Sequence, residues 1–259
     1  MMYKKITKIL PKKLKDFIYK NFFLNFLYFS NYFRNKFLIT KNVDLSYFGH
    51  KSRQAFFESC RYYLQYNRVN GIYTEFGCCE ANTFRISLNT LGMYGKPHDI
   101  NHFYAFDSFE GMPEPKGIDK ALMWKKGICR TAEEDFLKLL KKDRHRVTTV
   151  KGFYEKSLKN FKFPSATKIA MAYVDCDYYS STKAVLKFLE KYLSHGMILA
   201  FDDWDCYFAD NKRGQRLAFS EWSNKIKSKY TFEQFRRISA GGNSFIVHEN
   251  KKIGTDFEG

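Results

Sequence analysis

The sequence predicts an α/β fold: an open sheet of seven mostly parallel strands, helices on both of its faces, and an antiparallel hairpin at its end. Short apolar runs alternate along the chain with segments of helical periodicity, as in parallel sheets whose strands are joined by crossover helices. The last two runs follow each other across Ala240-Gly241-Gly242-Asn243 with no room for a helix, so they should pair as a hairpin. A chain of 259 residues holds one such domain and a short appendage. We assign residues 1–45 to a basic, aromatic, helical extension and 46–259 to the α/β domain.

The extension carries most of the charge asymmetry. The net charge is +17, and residues 1–41 hold ten Lys or Arg against the single acid Asp16, so +9 sits in that segment. Ile18, Phe22, Phe26, Phe29 and Phe33 recur at the spacing of one helical face. Such a stripe suits a membrane interface, with Lys4, Lys5, Lys8, Lys12, Lys13 and Lys15 near anionic headgroups. It equally suits docking on its own domain or on a second subunit of a homodimer. No cleavable signal peptide and no run of ~20 apolar residues is visible. The protein is therefore placed in the cytoplasm, at the inner membrane surface if the stripe meets lipid. The six cysteines form no C-x-x-C pair and read as reduced thiols.

In chain order, a helix is expected over 52–66, then strands over 71–77, 102–107, 147–151, 169–175 and 197–203. The hairpin strands cover 232–237 and 244–248, and helices fall at 83–91, 132–141, 181–193 and 217–229. The strand ends hold the chemistry. The first run closes as Glu75-Phe76-Gly77-Cys78-Cys79, an acid and a turn glycine where an open α/β sheet admits a ligand close to its backbone. A lone glycine is also a common structural turn. The second run ends at Asp107, placed to accept the hydrogens of a ribose diol, or else to cap a turn. The fourth ends at Asp175-Cys176-Asp177 and the fifth at Asp202-Asp203. Carboxylates gathered at one lip repel one another unless a cation holds them, and oxygen ligands favour a hard ion such as Mg²⁺. Their plainer reading is helix capping or pairing with lysines.

Together these segments resemble the macrocin and mycinamicin sugar O-methyltransferase family, within the Rossmann-like class I S-adenosylmethionine-dependent methyltransferases. The resemblance spans 71–249 and rests on several motifs in this order. They are Glu75-x-Gly77, Asp107-Ser108-Phe109-Glu110-Gly111-Met112-Pro113, Lys151-Gly152-Phe153, Asp175-x-Asp177-x-Tyr179-x-Ser181-Thr182 and Asp202-Asp203. It implies that Glu75, Phe76, Gly77 and Cys78 line the methionine part of S-adenosylmethionine, and that Asp107 binds its ribose. Ser108, Gly152 and Phe153 would then lie near the adenine, while Asp175, Asp202 and Asp203 would hold the cation. Three positions depart from the family: Ala81 and Asn82 stand where glycines are usual, and His195 where proline is common.

The implied reaction is an in-line displacement at the sulfonium methyl by a sugar hydroxyl, for which the protein must align and deprotonate the acceptor. Asp175, or Asp177 in second place, is the candidate base. Two rival readings stand beside it. Asp175-Cys176-Asp177 could be the D-x-D of a metal-dependent glycosyltransferase, though that leaves Glu75, Gly77 and Asp107 without a task. A basic module binding nucleic acid or membrane without catalysis fits the charge, but an acid cluster at the ligand mouth would repel phosphate, which argues against nucleic acid.

Overall fold

The computed structural model describes residues 45–92 and 100–251. The chain divides into two units, 1–47 and 48–259, and nearly all described residues belong to the second. The aromatic stripe expected over 14–33 lies outside the described residues. A long helix α1 (Leu45–Tyr66) leads into β1 (Ile72–Phe76), α2 (Asn82–Leu91), β2 (Phe103–Asp107), α3 (Glu133–Leu139) and β3 (Val147–Lys151). Then come α4 (Tyr154–Asn160), β4 (Ile169–Val174), α5 (Tyr179–Leu189), β5 (Ile198–Phe201), α6 (Gly214–Ile226), β6 (Tyr230–Ile238) and β7 (Gly242–Glu249).

The sheet order is β3-β2-β1-β4-β5-β7-β6. Strands β1 to β5 pair in parallel, and β7 runs antiparallel to both β5 and β6. The expected seven-stranded, mostly parallel plan with a closing hairpin is therefore the observed one. The strands read as unbroken apolar runs because alternate side chains enter two different cores. Tyr73, Phe103, Ala105, Met171, Tyr173 and Ala200 meet Phe56, Phe57, Phe84, Leu88 and Phe136 on one face. Phe76, Tyr104, Phe106, Val174, Leu199 and Phe201 meet Leu158, Val185, Leu189, Trp222 and Ile226 on the other. Aromatic packing sets the detail: Phe57 stacks on Tyr173 at 5.6 Å, and Phe76 on Phe106 at 4.7 Å.

Boundaries differ for local reasons. The helix expected to run to 193 gives way at Leu189 to a tight 3₁₀ turn, Glu190–Tyr192. The expected fifth strand loses its last two residues from the ladder, although the Asp202 amide still donates to the Val174 carbonyl at 3.0 Å. Helix α4 has no counterpart in the sequence reading, because seven residues are too few to display a face. Among the described residues no helix is long and apolar enough to cross a membrane.

Candidate functional site

Strand order reverses between β1 and β4, and ligand crevices of open α/β sheets lie beyond the carboxyl ends at that point. A cleft of about 650 Å³ occupies it, walled by Gly77, Asp107, Ser108, Gly152, Phe153 and Asp175. The connection between β2 and α3 adds Gly111, Met112, Pro113 and Cys129, and Cys79 faces in from the first loop.

On the β1–β2 side the backbone is tightly specified. Gly77 has φ +93°, and a Cβ there would lie 1.7 Å from the Asp175 carbonyl oxygen, so only glycine fits. Further along the loop, Cys79 (φ 37°) and Ala81 (φ 59°) take left-handed conformations. The turn where the family favours glycine is thus preserved without it, at a strain cost. Asp107 is buried and anchors this loop: its Oδ2 accepts the amides of Cys78 (2.7 Å) and Cys79 (3.3 Å), and its Oδ1 accepts that of Phe109 (2.7 Å). Ser108 shapes its own turn, donating to the Gly111 carbonyl at 2.8 Å and accepting the Glu110 amide. The Gly152 amide donates to the Asp107 carbonyl at 2.9 Å, which fixes the third loop against the second.

Glu75, Phe76 and Cys78 are buried behind the cleft wall. Glu75 accepts a hydrogen bond from the Tyr73 hydroxyl, and its Oε1 has no partner. Burial drives its carboxyl well above the usual range despite the opposing Tyr73 bond, and Asp202 adds to the rise.

The β4 and β5 ends supply the acids. Carboxylate oxygens of Asp175, Asp202 and Asp203 lie within 4.8 Å of one another. Each is fixed differently. Asp202 receives Arg53 through both Nε (3.2 Å) and Nη2 (2.7 Å), and also the Tyr173 hydroxyl. Burial opposes the Arg53 charge, but bonding and attraction to Asp202 outweigh it and raise the guanidinium pKa. Asp203 accepts the Asp177 amide (2.9 Å) and Gln215 Nε2 (3.2 Å), and Gln215 also bridges to the Val174 carbonyl. The Asp175 carboxylate has no hydrogen-bond donor among the described residues and faces the cleft. Burial first, then the fields of Asp202 and Asp203, push its pKa well up. Burial likewise raises Asp203, and it lifts Asp177 to about 6.

The structure therefore gathers Asp175, Asp202 and Asp203 at one lip, beside the cleft that Asp107 and Gly77 shape. Sequence reasoning missed Arg53, Tyr173 and Gln215. Arg53 is one cation among several on an amphipathic helix, Tyr173 sits inside an apolar run, and Gln215 lies just before the expected helix start. It also missed the wall at 111–129, where Met112 and Ile128 pair backbone to backbone (2.8 Å) and Gly111 leaves room for Gly127. Two glycines flanking a loop were the available signal.

The macrocin O-methyltransferase (TylF) family model matches residues 41–227. The O-methyltransferase NovP is similar in fold, with a TM-score of 0.58 at 18% identity over 76% of this chain and 80% of that one. The calicheamicin methyltransferase CalS11 gives 0.57 at 21% identity, covering 74% and 77%. A second structure of CalS11, described as a TDP-rhamnose 3′-O-methyltransferase, gives 0.52 at 21% identity over the same shares. No curated protein sequence matches.

Proposed function

This chain belongs to the macrocin O-methyltransferase family, and from that premise we propose that it moves the methyl group of S-adenosylmethionine onto a hydroxyl of a sugar or glycosylated acceptor. A divalent cation, Mg²⁺ or another hard ion, would sit at Asp175, Asp202 and Asp203. The observation that carries this reading is the meeting of two sites in one crevice: an anchored acid at the end of β2, and three converging carboxylates at the ends of β4 and β5. Membership of the family sets aside the D-x-D glycosyltransferase and the non-catalytic basic module.

The donor set fits the ion. Among the described residues, Arg53 is the one cation paired with the three carboxylates, and no side-chain or backbone donor bonds the Asp175 oxygens. Such a set is costly without further positive charge. When bound, the cation lowers the pKa of a coordinated hydroxyl and orients it. The residues do the remaining work. Asp107 keeps a free lone pair on Oδ1 beyond its amide bond, which supports contact with a ribose hydroxyl. Gly77 lets the loop pass close to the donor, and Met112, Pro113 and Phe153 give the cleft apolar wall that would exclude water around it. Asp175, facing the cleft, would accept the acceptor's proton as the new C–O bond forms and the S–C bond breaks. Nucleotide-linked deoxysugars, the substrate class named for CalS11, are the first acceptors to try.

Calorimetric titration tests the assignment: S-adenosylhomocysteine should bind, and a protein that bound nucleoside diphosphate sugars but had no affinity for S-adenosylhomocysteine would overturn it. Asp175→Asn should lower turnover by about 10²–10⁴-fold while homocysteine-product binding persists. Full activity in that variant, with normal Mg²⁺ affinity, would remove Asp175 from the role.

A further inference from the structure

Of the seven large hydrophobic side chains exposed among the described residues, four lie on one rim: Ile118, Leu122, Met123 and Phe208. They come from two loops tied together by Arg213, whose Nη2 donates to the carbonyls of Ile118 (3.2 Å) and Lys120 (2.8 Å). Leu122 and Phe208 are completely exposed. Phe208 is held there at some cost, because Tyr207, Phe208 and Ala209 are three consecutive non-glycine residues with φ between 55° and 60°. Tyr207 is buried beneath and packs under the Arg213 guanidinium at 4.7 Å. The strained turn thus buries one aromatic ring and delivers the next to solvent.

The charge around these side chains has one sign. Lys116, Lys120, Lys125, Lys126, Arg130 and Lys212 are exposed on the same two loops, against Glu114 and Asp210, a net +4. Asp119 and Asp205 do not offset it: Asp119 is buried, and Asp205 is paired with Arg216 and Arg237. Fully exposed apolar side chains ringed by lysines match the interface of a bilayer with anionic headgroups, where Leu and Phe enter the acyl boundary and cations stay among phosphates. We propose that this rim, built from residues 114–130 and 207–213, docks on an anionic lipid surface. The 114–130 loop continues directly from Met112 and Pro113 in the cleft wall, so docking would hold the cleft mouth beside the bilayer, within reach of a lipid-borne acceptor.

The test is co-sedimentation of the full-length protein with phosphatidylcholine vesicles, with and without phosphatidylglycerol, in the absence of methyl donor and acceptor. It therefore stands or falls separately from the methyl-transfer assignment. Binding should require phosphatidylglycerol and weaken as salt is raised. Leu122→Ser/Met123→Ser/Phe208→Ser should bind roughly tenfold or more weakly. Lys116→Gln/Lys120→Gln/Lys125→Gln/Lys126→Gln should lose the salt dependence that the rim contributes. Both variants should keep the wild-type melting temperature. Because the basic 1–41 segment is present throughout, wild-type binding by the rim variants would assign any lipid affinity to that segment and overturn the proposal. Equally fatal would be no binding by the wild type, or a rim variant that converts a dimer to a monomer, since the patch would then be a protein interface. Trp124, half-buried within the same loop, gives a local check: brominated lipids should quench it only in vesicles that bind.

Discussion

Replacing Arg53 by Met removes the guanidinium paired with Asp202 and leaves a side chain of similar length. Breaking a fully buried ion pair costs about 3–5 kcal/mol, because the surviving charge is left uncompensated. Here the Arg53 and Asp202 side chains are 26% and 13% exposed, so solvent relieves part of that cost and about 2–4 kcal/mol is expected. For a domain of this size the loss corresponds to a fall in melting temperature of roughly 5–15 °C. The expected loss is conditional: a divalent cation at Asp175, Asp202 and Asp203 supplies the missing charge, so saturating Mg²⁺ should restore at least half of it. Calorimetric titration should also show Mg²⁺ binding more tightly to Arg53→Met than to the wild type, since no internal cation competes for Asp202. The assay is thermal unfolding of both proteins in EDTA and in excess Mg²⁺. An identical loss in the two buffers would mean that Asp202 takes no part in a cation site.

Three further outcomes are expected. Gly77→Ala should destabilise the fold by at least ~3 kcal/mol in urea unfolding and abolish S-adenosylhomocysteine binding, because its Cβ would overlap the Asp175 carbonyl at a positive φ. Asp107→Asn should cost ~2 kcal/mol and weaken that ligand at least tenfold by titration, since an amide nitrogen would then confront backbone N–H groups on one side. In metal-free protein, Asp177 at about 6 and the raised Asp175 and Asp203 keep protons that the unfolded chain, with aspartates near 3.8, has released. Stability should therefore fall as pH rises from about 4 through 6, a slope that Mg²⁺ should flatten; a rising melting temperature over that range would refute it.

The sheet was legible because its chemistry is repetitive. Runs such as 169–174 carry no charged residue and are buried throughout, and only strands covered on both faces need that. The hairpin was legible from glycine placement alone. The acids at 175, 202 and 203 could be assembled in advance because parallel neighbours must end on the same side of a sheet. What escaped were partners fixed by tertiary approach. Arg53 lies 149 residues from Asp202, and no local pattern marks it among the other cations of α1. Glu75 shows what strand alternation adds to a motif position: it shares the Tyr73 face of β1, is buried, accepts the Tyr73 hydroxyl and leaves Oε1 without a partner. Ala81 shows that a left-handed turn can survive the loss of its glycine when burial around it holds the backbone.

The missing Cβ of Gly77 has a consequence for evolution and engineering alike. Since the peptide oxygen of residue 175 occupies that space, the turn after β1 and the β4 end that bears Asp175 pack backbone against backbone. Neither half can be redesigned or allowed to drift alone. Changes in acceptor preference should therefore accumulate on the outer loops, which can vary while Gly77 and Asp175 keep their spacing.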